Sequence, residues 1–298
     1  MLTGIHFLLT YKCIFECDHC FVYSSPSANG TFTLEQVCKA LDEAEKIGTV
    51  EWIYFEGGEP FLYYPLLIES LKAAASRGFK TGIVTNAYLA TTVEDAKKWL
   101  MPLRELNVAD LSISNDAFHS GENVNSPASI AIRAAKNLGI PVNSISIDKP
   151  QIKCENPTRK KGEPVIGGDV MFRGRAADKL AVNLPAIAWN EFDSCEHEEL
   201  ENPERVHIDS YGNVQICQGI SIGNWRQHPL SEIIKNYDAL SHPIARYLIN
   251  GGPAMLSVHY QTTHKKGYID ACQFCYEIRK KLIDKFPQFL APKQVFGL

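Results

Sequence analysis

Short apolar segments alternate with helical patterns through the first 180 residues of the chain. Thr33 and Gln36 form a capping box before the first helical pattern, and Gly139 follows the last one. The patterns predict helices over about 34–47, 64–77, 92–100 and 127–138. The apolar runs predict β-strands over 5–9, 51–55, 81–85, 109–114, 142–147 and 168–172.

This alternation predicts a parallel sheet, because a strand, a helix and the next strand normally form a right-handed crossover. The six predicted strands are too few for a closed eight-stranded barrel. We therefore expect an α/β fold, a partial (β/α)6 TIM-like barrel. Its functional residues should lie in the loops that follow the carboxyl ends of the strands.

The second half of the chain has a different character. Residues 148–168 are rich in Pro, Gly and Lys and predict a loop, and the regular alternation ends soon afterwards. We predict a first domain over residues 1–182 and a smaller C-terminal domain over residues 183–298, which carries four cysteines of its own.

Charge and composition exclude several classes of protein. The chain has 298 residues, 45% of them apolar, with a net charge of −4, so no electrostatic footprint for nucleic acid is expected. No apolar run is long enough to cross a membrane, and the N-terminal segment lacks the basic start of a signal peptide. We expect a cytoplasmic protein with neither nucleic acid nor a membrane as partner.

Three of the nine cysteines lie close together after the first predicted strand, at Cys13, Cys17 and Cys20. Clustered thiols in a reducing compartment favour metal binding or redox chemistry. Three thiolates on a four-iron cluster would leave one iron open, and an open iron can chelate a small molecule through an amine and a carboxylate.

A glycine pair follows the second predicted strand, in the same relative position as the cysteines after the first. Gly57 and Gly58 allow the backbone to approach a ligand closely. Glu59 and Pro60 then make a stiff exit from the loop. The carbonyl groups of such a turn can accept hydrogen bonds from a ligand ammonium group.

Together these two motifs resemble those of a known family. The segment "CIFECDHC" is similar to the cysteine triad of the radical S-adenosylmethionine (radical SAM) enzymes, and "GGEP" resembles the loop that holds the methionyl amino group there. The resemblance covers roughly residues 5–180. It implies that the three cysteines ligate a [4Fe–4S] cluster whose fourth iron binds S-adenosylmethionine.

The resemblance also implies further contacts with S-adenosylmethionine. His19 would lie near the adenine, and Phe172 is a second candidate for that contact. The remaining implied contacts, to the amine, the carboxylate or the ribose, are Gly57, Gly58, Glu59, Pro60, Asn86, Ser114 and Asp116. His119 and Cys154 are candidates for catalytic roles, although a satisfied polar histidine and an idle thiol are the ordinary interpretations. Arg173 and Arg175 could bind a substrate carboxylate or could simply be solvated.

A second cysteine pattern lies in the C-terminal part, at Cys195, Cys217, Cys272 and Cys275. Alone, these thiols could bind structural zinc, and the last two could form a redox pair. Downstream of a radical SAM domain, the pattern resembles the TWITCH module, a shortened relative of the SPASM domain. That resemblance implies a second [4Fe–4S] cluster with four protein ligands.

The resemblance implies an enzyme that cleaves S-adenosylmethionine reductively to a 5′-deoxyadenosyl radical, which abstracts a hydrogen atom from the substrate. Oxidation, epimerisation or crosslinking of a peptide or a small molecule would follow, with electrons from a donor such as flavodoxin or ferredoxin. The alternatives are a non-catalytic iron–sulfur electron-transfer protein and a zinc-stabilised structural or binding module.

Overall fold

The computed structural model describes residues 1–119, 123, 125–152 and 166–298. Its helices are α1 (Leu34–Ile47), α2 (Tyr64–Ser76), α3 (Val93–Glu105), α4 (Pro127–Leu138), α5 (Arg175–Lys179), α6 (Leu230–Lys235), α7 (Ala245–Tyr260) and α8 (Ala271–Leu282). Short 3₁₀ helices lie at Pro60–Tyr63, Trp189–Glu191 and Lys293–Phe296. Among the helices of these described ranges, none is long and apolar enough to span a bilayer.

The strands of the main sheet are β1 (Gly4–Thr10), β2 (Trp52–Gly57), β3 (Lys80–Thr85), β4 (Asp110–Ser114), β5 (Val142–Ile145), β9 (Arg205–Asp209), β10 (Asn213–Cys217) and β11 (Ile220–Asn224). Two small sheets contain β6 (Gln151–Ile152) with β7 (Ile166–Gly167), and β8 (Ile187–Ala188) with β12 (Gly267–Tyr268).

The order of strands in the main sheet is β11-β10-β9-β1-β2-β3-β4-β5. Strands β1 to β5 and β9 pair in parallel, whereas β10 and β11 pair antiparallel beyond β9. The α/β class predicted from the sequence is confirmed, with parallel strands alternating with α1 to α4. The sheet also runs across residue 182, so the proposed domain division is not marked by a break in strand pairing.

One predicted strand is wrong. Residues 168–172 are not a strand, and the parallel strand on the far side of β1 is instead Arg205–Asp209. The reason is that the backbone of this segment bonds elsewhere: the N–H of Phe172 donates to the Asp270 carboxylate at 3.0 Å, and the N–H of Arg173 donates to the Met171 carbonyl at 2.8 Å. An apolar run of five residues cannot by itself reveal such partners.

Local signals set the helix boundaries. The Thr33 side chain accepts the N–H of Gln36 at 3.2 Å, and the Gln36 side chain accepts the N–H of Thr33 at 3.0 Å, which confirms the capping box. Gly139 ends α4 in the left-handed conformation. α3 extends to Glu105, beyond its predicted end, with Pro102 inside its last turn.

The two faces of the parallel sheet differ in polarity. Successive side chains of a strand point to opposite faces. Phe7 on β1 packs against Phe55 on β2 and Phe32, with ring centroids 5.2 and 5.5 Å apart, and belongs to the apolar core. Its neighbour His6 pairs in register with Tyr54 on β2 and His207 on β9. The other face of the sheet therefore carries polar side chains.

Candidate active site and second cysteine cluster

The cysteine triad lies in a loop that begins where β1 ends. The Cys20 N–H donates to the Cys17 carbonyl at 3.0 Å, which closes a tight turn between these two residues. Donors point at the sulfurs: Cys13 Sγ lies 3.4 Å from the N–H of Phe15 and 3.6 Å from the amide of Asn86. Such donors favour the thiolate form that binds metal.

All three thiols face one cavity at the carboxyl ends of the parallel strands. We call it the central cavity; its lining includes Cys13, Cys17, Cys20, His19, Gly57, Gly58, Asn86, Ser114, Asp116 and His119. Burial raises the pKa of Cys13 to about 11 and that of Cys17 to about 12. Without metal these thiols are neutral, so metal binding must release their protons.

The glycine loop is bonded directly to the cysteine loop. The Gly58 N–H donates to the Thr10 carbonyl at 2.6 Å, and the Glu59 N–H donates to the Lys12 carbonyl at 2.9 Å. Gly57 has φ of 128°, and a Cβ on Gly58 would lie 2.1 Å from the Lys12 carbonyl oxygen. Because a side chain at either position would separate the loops, this contact requires glycine.

Glu59 supports the glycine loop from behind, since it is fully buried and does not line the central cavity. Its carboxylate accepts hydrogen bonds from the Thr85 hydroxyl at 2.9 Å, the Asn86 N–H at 2.8 Å and the Phe61 N–H at 3.0 Å. Burial raises its pKa to about 7 despite these donors. Pro60 begins the 3₁₀ helix that follows and is also buried.

Asp116 and the two histidines beside it form one wall of the central cavity. Asp116 accepts from His119 Nδ1 at 2.8 Å and from the Phe118 N–H at 3.0 Å. The His19 ring packs against Phe118 in a tilted arrangement with centroids 4.4 Å apart, and its buried Nδ1 has no hydrogen-bond partner within the described residues. Burial lowers the pKa of His19 to about 4, so its imidazole is neutral at neutral pH.

A further sequence candidate, Phe172, does not line the central cavity. Its side chain is buried, and the neighbouring Met171 lines the cavity instead. Cys154 lies outside the described residues, so its assignment stays a prediction.

The structure places Arg173 and Arg175 inside the protein rather than in solvent. The Arg175 guanidinium donates to the carbonyls of Cys17 at 2.8 Å and Ser24 at 2.6 Å, and so holds the cysteine loop. Arg173 lines the central cavity and also a second cavity. The sequence signal was the pair itself, in "FRGRA", but its burial depends on contacts with a distant part of the chain.

The second cavity is lined by all four cysteines of the C-terminal part, Cys195, Cys217, Cys272 and Cys275. We call it the second cysteine cavity. Cys195 lies in a loop, Cys217 is the last residue of β10, and Cys272 and Cys275 lie in the first turns of α8. Burial raises the pKa of Cys195 to about 12 and also raises that of Cys217.

Two arginines also line the second cysteine cavity. Arg173 Nη1 lies 3.6 Å from Cys217 Sγ and 2.9 Å from the Glu198 carboxylate. The Arg279 side chain is buried, and its Nε has no hydrogen-bond partner among the side chains and backbone that the structure describes. Cationic groups with unused N–H donors suit a cavity that holds several thiolates.

The four thiols are spread more widely than the ligands of one tetrahedral zinc ion would be. A tetrahedral zinc ion with bonds of about 2.3 Å would hold its thiolates about 3.8 Å apart. In the described part of the chain, the groups of three metal-binding atoms within 4.8 Å of one another contain no cysteine. An iron–sulfur cluster spaces its thiolates further apart, because each binds a different iron.

The first part of the chain is similar to a known family. Residues 7–148 match the model of the radical SAM superfamily. The matched range contains the cysteine triad and the glycine loop.

The curated relatives also match only part of this chain. The chain is 29% identical over 112 residues to the putative peptide biosynthesis protein YydG of Bacillus subtilis, which is 38% of this chain and 35% of that protein. It is 32% identical over 117 residues to the tungsten-containing aldehyde ferredoxin oxidoreductase cofactor-modifying protein of Pyrococcus furiosus, which is 39% of this chain and 31% of that protein. The matches thus span about a third of each relative.

A solved structure supports the fold over a longer range. The crystal structure of BtrN in complex with AdoMet and 2-DOIA aligns with a TM-score of 0.53 at 17% identity, over 79% of this chain and 83% of that one. At this identity the likeness concerns the fold. It is consistent with the partial TIM-like barrel predicted from the sequence.

Proposed function

We propose that the protein is a radical SAM enzyme that modifies a peptide. Cys13, Cys17 and Cys20 would hold a [4Fe–4S] cluster, and its open iron would take the amine and carboxylate of S-adenosylmethionine. When bound, these cofactors supply a 5′-deoxyadenosyl radical that abstracts a hydrogen atom from the substrate. The observation that carries the proposal is that three thiols and the glycine pair face one cavity, on loops bonded to each other.

The residues around the cavity would orient S-adenosylmethionine. Gly57 and Gly58 line the cavity, and their carbonyls would accept hydrogen bonds from its ammonium group. Asn86 and Ser114 offer donors for its carboxylate or ribose, and the neutral ring of His19 offers a surface for the adenine. Asp116 offers acceptors to the ribose hydroxyls.

A second [4Fe–4S] cluster is the best occupant of the second cysteine cavity. Four thiols, two buried arginines and spacing wider than zinc requires support it. We propose that residues 183–298 form a SPASM/TWITCH-like auxiliary cluster domain. With four protein ligands no iron is left open for substrate, so the role we propose is electron transfer or structural support.

We propose a peptide substrate because a relative is named as a peptide biosynthesis protein. A small molecule is the second candidate, because the similar solved structure carries 2-DOIA. The reaction would be oxidation, epimerisation or crosslinking, in the cytoplasm, with a donor such as flavodoxin or ferredoxin.

The direct test is the formation of 5′-deoxyadenosine. Protein with both clusters reconstituted anaerobically is reduced, incubated with S-adenosylmethionine and analysed by chromatography, with a sample lacking reductant as the control. We expect 5′-deoxyadenosine only in the reduced sample. A fully loaded, reduced protein that forms none is an electron carrier, and a colourless protein that contains zinc is a binding module; both results refute the proposal.

The substrate is tested with peptides encoded by neighbouring reading frames. Each peptide is incubated with the reduced protein in deuterated buffer and analysed by mass spectrometry. Oxidation and crosslinking reduce the mass of the peptide, whereas epimerisation leaves the composition unchanged but introduces deuterium from the solvent. Turnover of a small molecule by protein that leaves every peptide unchanged would reject the peptide proposal alone.

A further inference from the structure

Two histidines and a glutamate meet on the polar face of the sheet. His6 lies on β1, Glu56 on β2 and His207 on β9, three strands that are neighbours in the sheet. His6 pairs in register with His207 on one side and with Tyr54 on the other, and Glu56 follows Tyr54 by two residues. All three side chains therefore project from the same face.

Both imidazoles converge on one carboxylate oxygen. Glu56 Oε1 lies 3.1 Å from His6 Nδ1 and 3.1 Å from His207 Nε2. All three ligand atoms lie within 4.8 Å of one another. Less than a fifth of each of the three side chains is exposed, and the His6 ring is stacked on Tyr54 with centroids 4.6 Å apart. The backbone and this stacking fix the group before any ligand arrives.

These distances match the edge of a metal coordination shell. Bonds of about 2.1 Å at right angles place neighbouring donor atoms about 3.0 Å apart. Two histidines and one carboxylate are a common ligand set for divalent first-row metals, with further positions left open. We propose that His6, Glu56 and His207 bind one divalent cation, separate from both cysteine sites.

The charge of the group suits a cation. Burial opposes ionisation of Glu56, but His6 and His207 lower its pKa well below the usual range, so the carboxylate is available as an anion. Within the described residues, the hydrogen bonds of this carboxylate are those with the two histidines. A cation can replace both, because imidazole and carboxylate are themselves good ligands.

The group of His6, Glu56 and His207 lies next to the central cavity. Glu56 lines the central cavity, next to Gly57. A cation held by Glu56 would therefore lie beside the space where substrate would lie. A carbonyl or carboxylate oxygen of the substrate could then complete its coordination. The site itself does not depend on the reaction proposed above.

A second group of similar composition, His19, Asp116 and His119, is a weaker candidate. The oxygens of Asp116 already accept the N–H groups of Phe118 and Ile147 as well as His119. Fewer lone pairs remain for a cation there than on Glu56. The two groups are thus a matched pair for an experiment.

The test uses Mn²⁺ with the cluster-loaded, oxidised protein after chelator treatment, because a hard cation avoids thiolates. Free Mn²⁺ is measured by electron paramagnetic resonance during a titration. We expect one bound Mn²⁺ per chain, weakened at least about tenfold in Glu56→Gln, His6→Gln and His207→Gln. His119→Gln should bind like wild type. Iron content and circular dichroism show whether each variant is folded.

Either of two results overturns the proposal. One is a wild-type protein that binds no Mn²⁺ across the titration. The other is binding that survives undiminished in any folded variant of the three proposed ligands, or that is lost only in His119→Gln. Since one folded variant among the three ligands suffices for the comparison, misfolding of one of them does not leave the question open.

Discussion

The central cavity and the second cysteine cavity both collect buried thiols, but they surround them differently. In the central cavity the thiols share the space with the glycine pair and with the polar groups of Asn86 and Asp116. In the second cysteine cavity the thiols lie beside the guanidinium groups of Arg173 and Arg279. The first arrangement leaves room and partners for a small molecule, whereas the second supplies four thiols and compensates their charge.

Ligand number and neighbouring charge would separate the two proposed roles. Three thiols with a bonded glycine loop suit a cluster that also binds a cofactor. Four thiols with buried cations suit a cluster that only holds or passes electrons, because cations near the sulfurs favour the reduced, more negative state. Arg173 lines both cavities and is the side chain common to them.

The strongest test removes a thiol from the central cavity. Cys17→Ala should abolish 5′-deoxyadenosine formation, because two thiolates cannot hold the open-iron geometry. Cys38 on α1 lines neither cavity, so Cys38→Ala is the matched control and should form 5′-deoxyadenosine like wild type. Chromatography of anaerobic, reduced reactions measures both. Formation of 5′-deoxyadenosine by the Cys17→Ala protein would contradict the assignment of S-adenosylmethionine cleavage to the central cavity.

The corresponding change in the second cysteine cavity should have a smaller effect. Two four-iron clusters amount to about eight iron atoms per chain, and Cys272→Ala should retain about four. Cleavage of S-adenosylmethionine should persist while oxidised product is lost, if the second cluster accepts electrons. Iron analysis and product assays measure this; an insoluble variant would instead assign the cluster a structural role. Unchanged iron content would contradict the ligand assignment.

A third test changes the charge next to the proposed second cluster without changing a proposed ligand. Arg173→Gln removes a cation 3.6 Å from Cys217 Sγ. The reduction potential should fall by about 60–130 mV, the equivalent of one hydrogen bond to a charged group. Arg173→Lys keeps the charge and should shift the potential less. Redox titration followed by electron paramagnetic resonance, with S-adenosylmethionine present to mark the first cluster, reports the change; equal shifts in both variants would exclude charge as the cause.

The smallest effect on S-adenosylmethionine binding is expected for a substitution of Glu59, which lies behind the glycine loop. Glu59→Gln keeps the shape of the side chain but replaces one carboxylate oxygen with an NH₂ donor. That donor then faces the Thr85 hydroxyl or the Asn86 N–H, both of which donate to the carboxylate in the wild type. Affinity for S-adenosylmethionine should fall about two- to tenfold, the cost of one ordinary hydrogen bond, with the yield of the saturated reaction retained. Equilibrium binding measures this, and unchanged affinity would remove Glu59 from the support of the loop.

Glu59 also predicts a pH dependence of stability. Its folded-state pKa of about 7 lies above the ordinary value of 4.5, so the folded protein binds this proton more tightly than the unfolded chain. The stability contributed by this proton is present below pH 4.5 and is lost as the pH rises through 7. Relative to wild type, Glu59→Gln should therefore gain unfolding free energy between pH 5 and 8, by about 1 kcal/mol or more. Urea unfolding of both proteins across this range measures the difference in unfolding free energy, and a difference that does not change with pH would contradict the raised pKa.

Much of the central site was predictable because its determinants are local. Each determinant occupies only a few neighbouring residues: the triad Cys13, Cys17 and Cys20, the capping box at Thr33, and the pair Gly57 and Gly58. Short-range geometry fixes what such segments can do, so the sequence alone determined the alternating α/β pattern and the first cysteine loop. The partial barrel followed from the same pattern, with residues 168–172 wrongly taken as its sixth strand.

Only the tertiary structure decided which distant segments meet. Arg205–Asp209 became the parallel neighbour of β1, and this placed His207 against His6 and Glu56. The burial of Arg173 between two cavities likewise joins elements far apart in sequence. The physical reason is that strand pairing and burial of charge depend on partners supplied by the whole fold, and no local pattern of polar and apolar residues specifies which partner a strand edge or a guanidinium group will find.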